Sequence, residues 1–367
     1  MNVLIIPSWY PSEKYPSTGI FFKEQAQLLA RHRPDWSVGI SIWGSHDPRL
    51  WLRWFQPLNS LLKFGSKPVV KQKDTLLESN CVEFLSPAFT WTRKWRDGNI
   101  KGILEANEQN LKRHIDYFGK PDIIHAQVTY PGGYIAKHLS EIHDIPYVIT
   151  EHQSPFPMAS LKKLLTTRLI PTLKSANKVF GVSRALVDQL SSHGVDTNYM
   201  ANFIDDVFFS PKKSVNNPPT LIAVGRLEEQ KNYPLMLQAL ADVQQKHPFH
   251  LKILGEGSLG KKLSRQASQL RLSAEWLGEC HQEDVKHHLQ AADIFINTSL
   301  HENQPVAILE ALACGLPVVT TPWSGADEII HPDIGVISSD WSPESFSQVL
   351  SDSFNKFTAS EVRAYFD

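Results

Sequence analysis

Cysteine is scarce: three among 367 residues, Cys81, Cys280 and Cys314, odd in number and in no Cys-x-x-Cys spacing. That excludes a disulfide framework and a cysteine-ligated zinc site, and it fits a reducing compartment. Long apolar runs are also missing, so no segment reads as a bilayer span. The start, Met1-Asn-Val-Leu-Ile-Ile-Pro7, has no basic residue ahead of its short apolar stretch. It reads as a strand and not as a secretion signal, and the expected setting is the cytoplasm. Net charge is almost absent, −1 at pH 7. A general polyanion binder draws its affinity from phosphate neutralisation, so nucleic acid is not an expected partner. Asp-x-Asp occurs nowhere, His-Glu-x-x-His is absent, and the 15 histidines show no zinc-ligand spacing. The expectation is chemistry with no metal and no cofactor.

What is present is a two-part α/β pattern. With 42% hydrophobic and 20% charged residues, the chain is long enough for two domains with real cores. Short apolar runs at Val3–Ile6, Val38–Ile42, Ile123–Ala126, Tyr147–Thr150 and Val179–Val182 alternate with helical patterns such as Ile20–Ala30 and Ile100–Phe118. The rhythm starts again at Leu221–Gly225 and continues through Leu251–Leu254, Ala274–Leu277, Ile294–Asn297 and Val318–Thr320. Buried parallel strands covered by helices follow from that order. Turn formers without apolar periodicity fill 205–217, which separates a first domain, 1–204, from a second, 218–367. Open parallel sheets bind ligands beyond the carboxyl ends of their strands, so two doubly wound, Rossmann-like domains facing an interdomain cleft are expected.

The residues with chemical use fall on those strand ends. Ser299-Leu-His-Glu302-Asn303-Gln304-Pro305-Val306-Ala307-Ile-Leu-Glu310 places one carboxylate on a loop and a second in the first turns of a helix. The bare N–H groups of that helix start favour an anion, and carboxylates beside it suit sugar or ribose hydroxyls. Gly225-Arg226-Leu-Glu228-Glu229-Gln-Lys231 puts two cations five positions apart, next to a glycine. It reads as a diphosphate clamp, or as a solvated loop in which Glu228 and Glu229 pair with the cations. Ser17 or Thr18 can cap the helix at Ile20, and Gly19 leaves its N-terminus open to a phosphate. Glu151-His152 follows a strand, where a histidine can donate to a hydroxyl or to developing charge. His125 reads as a strand-end histidine satisfied by the fold.

Two further stretches bear on function. Gly255-Glu-Gly257-Ser-Leu-Gly260 satisfies G-x-G-x-x-G after a strand, with Glu279 nineteen residues on, which is a dinucleotide signature. It sits on the second strand of its half, and Glu256 would stand close to a pyrophosphate. Residues 49–73 hold six basic side chains and no acidic one, among Trp51, Trp54, Phe55, Leu58, Leu61, Leu62 and Phe64. Such a segment can lie on an anionic membrane surface or pack on its own domain. Trp91 to Arg96 adds a second aromatic and basic cluster.

Taken together, Glu302-x7-Glu310 with Ala311-x-Ala-x-Gly315-x-Pro317, Gly225-Arg226…Lys231-Asn232, Gly255-Glu-Gly, Pro16-Ser-Thr-Gly19 and Pro121-Asp-Ile-Ile-His125 with Val148-Ile-Thr-Glu-His152 resemble the retaining glycosyltransferases of family 4, which have the GT-B fold. The resemblance covers most of the chain. It implies metal-independent transfer of a sugar, with retention, from a nucleotide-diphosphate donor, UDP by family frequency, to a saccharide or lipid-linked saccharide acceptor. It further implies a bacterial-type hexosyltransferase of surface polysaccharide or lipopolysaccharide synthesis, cytoplasmic or peripheral at the inner face of the membrane. Arg226 and Lys231 would hold the diphosphate and the leaving charge, Glu302 the sugar hydroxyls and Glu310 the ribose. Gly19 and Gly225 would lie against the donor, and His152 near the reacting centre. Many family members have Gly-Phe-Gly after the first glutamate; this chain has Asn303-Gln304-Pro305, so phosphate contacts would pass to Val306 and Ala307. The alternatives are an NAD-dependent oxidoreductase using Gly255–Gly260 and a nucleotide-sugar-binding protein without transfer.

Overall fold

Apolar runs without alternation become strands covered on both faces. Val3 to Pro7 of the first strand and Val38 to Ile42 of the second are buried at every position, which a parallel sheet between helix layers requires. The computed structural model describes residues 1–45, 47–52, 70–91, 96–211, 216–354 and 356–366. It divides into two units: Met1–Val182 with Leu186–Met200, and Ser183–Ala185 with Ala201–Asp367.

In the first unit the strands are β1 (Asn2–Pro7), β2 (Ser37–Ile42), β3 (Trp51–Leu52), β4 (Lys73–Glu78), β5 (Cys81–Leu85), β6 (Thr90–Trp91), β7 (Ile123–Gln127), β8 (Tyr147–Glu151), β9 (Lys178–Gly181) and β10 (Thr197–Tyr199). Among the described residues they form an eight-stranded sheet of order β10-β9-β8-β7-β1-β2-β5-β4, with β3 and β6 paired apart from it. All its pairings are parallel except the β4–β5 hairpin. The helix Ile20–His32 turns Phe22, Ala26 and Ala30 inward, and Ala26 and Ala30 join Val3, Ile5, Val38 and Ile40 in one core. The helix Ile100–Phe118 buries polar residues as well, and each finds a partner. Asn110 Nδ2 donates to Ser41 Oγ at 2.9 Å and to the Ile42 carbonyl at 2.8 Å, Ser41 Oγ donates to Asn107 Oδ1 at 2.6 Å, and His114 Nε2 bonds Asn2 Oδ1 at 2.7 Å.

The second unit contains β11 (Thr220–Val224), β12 (His250–Leu254), β13 (Ala274–Gly278), β14 (Ile294–Asn297), β15 (Val318–Thr320) and β16 (Gly335–Ile337). Among the described residues this sheet runs β13-β12-β11-β14-β15-β16, every pair parallel. The helices Tyr233–Val243 and Pro343–Ser353 close one core with Leu221, Ile253 and Val319; Val306–Ala313 and Gln282–Gln290 belong to another with Ile222, Phe295 and Val318. A short helix, Ala359–Phe366, packs on Val306–Ala313, and Arg363 Nη1 donates to the Ala313 carbonyl at 2.7 Å. A cation at a helix C-terminus is the favourable sign for the macrodipole.

The long, buried runs fall where the sequence places them, within a residue or two at each end. The β4–β5 hairpin and the short edge strands β10 and β16 do not stand out in the sequence. β4 is mostly exposed, so it lacks the apolar run that marks the central strands. In both sheets the first strand lies between neighbours reached in opposite directions: β1 between β7 and β2, β11 between β14 and β12. Beyond the carboxyl ends of such switch points is where an open α/β sheet accepts a ligand.

Candidate active site at the strand ends

The loop after β11 is built against the loop after β12. Gly255, at φ +129°, could not carry a side chain: its Cβ would stand 2.1 Å from the Gly225 carbonyl oxygen, and one on Gly257 would stand 2.4 Å from that of Leu227. The space these glycines leave open is therefore filled by the protein's own backbone from Gly225 to Leu227. Leu227 N donates to the Glu256 carbonyl and Gly225 N to that of Leu254. The G-x-G-x-x-G pattern is thus explained as loop packing, and nothing in its geometry calls for a dinucleotide.

On this platform Arg226 is exposed and makes no ion pair among the described residues. Glu228, a candidate partner for the cations, accepts instead from Ser258 Oγ at 2.7 Å and Ser258 N at 2.9 Å. These bonds, opposed by slight burial and helped by Arg226, hold its carboxyl below the ordinary range. Lys231 pairs with neither Glu228 nor Glu229. Its Nζ lies 2.5 Å from Glu302 Oε1, which also accepts from Ser299 Oγ at 2.8 Å. The pair is largely shielded, with the side chains 20% and 9% exposed, and a charge-assisted bond gains strength there. Hydrogen bonds to backbone carbonyls lock the two loops: Leu300 N to the Gln230 carbonyl at 2.8 Å, Gln230 Nε2 to that of His301 at 2.8 Å, and Thr298 Oγ1 to that of Lys231 at 3.0 Å. Tyr233 OH donates to the Gly225 carbonyl at 3.0 Å, and burial, then Glu302, pushes its pKa up.

Pro305 caps the helix Val306–Ala313, leaving the Val306 and Ala307 N–H groups at its positive end. Glu310, in the second turn, is 6% exposed and accepts from Gln282 Nε2 at 2.7 Å; burial raises its pKa to about 7 against the pull of that bond. Gln304 ties the loop to the start of the unit, because its side-chain and main-chain oxygens both accept from Asn202, the latter at 3.0 Å. Asn303 is partly buried beside it.

In the first unit Gly19 is the N-cap of Ile20–His32 at φ +68°. A Cβ at Gly19 would stand 2.5 Å from Trp9 Cδ1 and 2.8 Å from the Trp9 carbonyl oxygen. Close packing on the β1 loop therefore requires a glycine at this helix start. His152 lies with its ring centroid 5.5 Å from that of Phe21 and 5.2 Å from that of Phe22, and its Nε2 bonds Gln127 Oε1 at 2.8 Å. Burial, with His125 nearby, lowers its pKa to about 3, so it is neutral and donates from Nε2. Glu151 anchors the turn: it accepts from Thr129 N at 2.9 Å, from the Thr129 hydroxyl, and from His152 N and Gln153 N at 2.8 Å. Burial raises its pKa and those four donors oppose the rise. His125 Nε2 bonds Thr150 Oγ1 at 2.8 Å, and burial lowers its pKa to about 4.

Most of the basic segment 49–73 and of the cluster at 91–96 lies outside the described residues. Of the part described, Arg49 is engaged by Asp47, with Nη2 to Oδ2 at 2.7 Å and Nε to Oδ1 at 3.0 Å. Among the described residues no helix is long and apolar enough to cross a membrane, and no group of three or more His, Cys, Asp or Glu could hold a metal ion.

Two family models match the chain in succession. Glycosyltransferase Family 4 covers residues 90–206, and Glycosyl transferases group 1 covers residues 205–356, including Arg226, Lys231, Glu302 and Glu310. The chain belongs to glycosyltransferase family 4. This glycosyltransferase is 25% identical over 350 residues to TuaC of Bacillus subtilis, ascribed to teichuronic acid biosynthesis, covering 90% of the chain and 83% of TuaC. It is 31% identical over 167 residues to WcaL of Escherichia coli, ascribed to colanic acid biosynthesis, covering 42% of the chain and 40% of WcaL. Its fold matches HepE of Anabaena, solved in complex with UDP and glucose, with a TM-score of 0.68 and 18% identity over 100% of the chain and 94% of HepE. These GT-B neighbours share the two Rossmann-like sheets of the family 4 chain. Three polar contacts in it escaped the sequence: Ser299 on Glu302, Gln282 on Glu310 and Gln127 on His152. Ser299 stands within the Glu302 motif and was within reach; the other two join residues 28 and 25 positions apart.

Proposed function

We propose that the enzyme transfers a sugar with retention from a UDP-sugar to a saccharide or lipid-linked saccharide during bacterial surface polysaccharide synthesis, without a metal. The observation that carries this is the Lys231–Glu302 pair at 2.5 Å, held on two locked loops at the β11–β14 switch point beside the bare helix start at Val306. Breaking a glycosyl–phosphate bond builds positive charge on the sugar and negative charge on the diphosphate. Lys231, the exposed Arg226 and the Val306 and Ala307 N–H groups would stabilise the second. Glu302 would take donor sugar hydroxyls and Glu310 the ribose, while neutral His152 would hydrogen-bond the sugar near the reacting centre. Gly19 and Gly225 would give the diphosphate room, with Asn303 and Gln304 shaping the sugar side. In a same-face displacement the leaving phosphate takes the acceptor proton, so no nucleophilic carboxylate is assigned. HepE, in complex with UDP, supports the choice of base; TuaC and WcaL support the polymer context.

Calorimetric titration of the wild type and of Arg226→Ala with UDP, GDP, ADP and NAD⁺, no metal added, tests the donor. Binding of UDP that weakens at least tenfold in the variant is expected; binding of NAD⁺ alone would overturn the reading. The anomeric configuration of the product by NMR then decides retention against inversion.

A further inference from the structure

A buried carboxylate usually has both oxygens served, because an unpaired one carries the full cost of desolvation. Glu310 does not follow this. The residue is 6% exposed and its Oε1 accepts from Gln282 Nε2 at 2.7 Å, while Oε2 has no hydrogen-bond partner among the described residues and is not sealed from solvent, so it is the oxygen left open to a ligand. Gln282 opens the helix Gln282–Gln290, whose Val285 and Leu289 pack in the same core as Ile308, Ala311 and Leu312 of the Glu310 helix. Both partners therefore stand on rigid elements, and the amide fixes the rotation of the carboxylate.

We propose that Gln282 is a positioning residue of the donor site: it fixes Oε1 of Glu310 so that Oε2 is presented to the ribose hydroxyls of a nucleoside diphosphate. The inference rests on the donor reading above and goes beyond it by naming what orients the ribose contact. It has two consequences. First, Gln282 gives discrimination for ribose over deoxyribose, since a carboxylate held in one orientation rewards a hydroxyl that meets it. Second, binding depends on pH, because burial brings Glu310 to about 7 and the Gln282 donor is what draws it back toward the charged form. The other ionisable groups on the packed elements are Cys314 after the Glu310 helix; Glu283, Asp284, Lys286, His287 and His288 on the Gln282 helix, with Glu279, Cys280 and His281 before it; and Glu361, Arg363 and Tyr365 on the helix Ala359–Phe366. Burial pushes the Cys314 thiol up to about 12, so it stays neutral over the range that matters.

The experiment measures Kd for UDP, GDP and ADP and their 2′-deoxy counterparts from pH 5.5 to 8.5, with wild type, Gln282→Met and Glu310→Gln. Methionine keeps the length of the side chain and removes the donor. Wild-type affinity for the bound nucleotide should rise with pH through about 7, as the carboxyl ionises. In Gln282→Met the midpoint should move up, affinity at pH 7 should fall about tenfold, and the preference over the 2′-deoxy form should largely vanish. Glu310→Gln, which does not titrate, gives the residual dependence that belongs to the diphosphate. An unchanged midpoint and an unchanged 2′-deoxy ratio in Gln282→Met would overturn this inference and leave the donor reading standing. Absence of any nucleoside diphosphate binding in the wild type would overturn both.

Discussion

The two switch points have the same topology and opposite chemistry. Beyond β11 and β14 stand an exposed arginine, a shielded lysine–carboxylate pair and a second buried carboxylate. Beyond β1, β7 and β8 stand a glycine-capped helix start, a neutral histidine and the rings of Phe21 and Phe22. The fold selects the place in each unit, and the side chains select the ligand. Under the proposed function the charged site would take the diphosphate and the hydroxyls its carboxylates reach, and the neutral one would meet the sugar near the reacting centre.

The contrast is broken most severely at Lys231. Lys231→Ala removes a cation and leaves the Glu302 carboxylate shielded without its ammonium, so kcat/KM for transfer should fall about 10²- to 10³-fold. His152→Ala, on the neutral side, should cost less, on the order of tenfold to a hundredfold. A steady-state comparison of both variants with one donor and one acceptor checks the order; a larger loss at His152 would reverse the assignment. The next effect is on stability. Gly255→Ala drives a Cβ to 2.1 Å from the Gly225 carbonyl and should cost about 3 kcal/mol or more, whereas Gly119→Ala meets nothing within 4 Å and should cost only the backbone strain of a side chain at φ 87°, ψ 178°, about 1–3 kcal/mol. Denaturant titration of the two variants measures the difference.

The buried histidines of the first unit and Glu310 of the second should respond to pH with opposite sign. Burial lowers His114 and His125 to about 4 from 6.5, so the native first unit binds fewer protons than its unfolded chain. Its stability is complete above pH 6.5 and is lost as pH falls toward 4, each histidine removing roughly 2 kcal/mol by pH 5. Glu310 behaves in reverse: its pKa, raised to about 7 from 4.5, makes the native second unit hold a proton longer. That contribution is complete below pH 4.5 and fades as pH rises through about 7. Hydrogen exchange followed at pH 5 and pH 8 should loosen β1 and β2 at the lower value and not β11 and β14; uniform loosening would remove the distinction.

Most of the framework was legible because central parallel strands announce themselves. Val3–Ile6 and Ile294–Asn297 are apolar without a break up to their last residue, and only burial on both faces tolerates that. The β4–β5 hairpin was not, since Lys73-Asp74 and Glu78 keep β4 polar, and the basic segment before it was read only as lying on a membrane surface or packing on its own domain. At the candidate site, the positions of Glu302, Glu310 and Lys231 beyond strand ends were legible from the sequence. Which partner each would take was not. Local charge pointed Lys231 to Glu228 or Glu229, but the β11–β14 pairing brings Glu302 to it. Likewise a pattern of glycines records a need for room and not what fills it, which is why Gly255 and Gly257 resemble a dinucleotide turn.

The smallest effect sharpens that point. Glu228→Gln keeps the shape and an acceptor oxygen for Ser258 but removes the charge, so about 1 kcal/mol or less of stability should go, as for a weakened cap. Were Glu228 the counter-ion of the clamp, its neutralisation would free Lys231 and Arg226 and tighten the nucleoside diphosphate by a factor of ten or more. Because Lys231 is already held by Glu302, and Glu228 is held by Ser258, Kd for UDP should change less than about threefold. Calorimetry on this variant therefore reads whether the charges near the β11 loop act as one cluster or as two separate pairs; a tenfold change would merge them and weaken the case that the Lys231–Glu302 pair is a unit reserved for the donor.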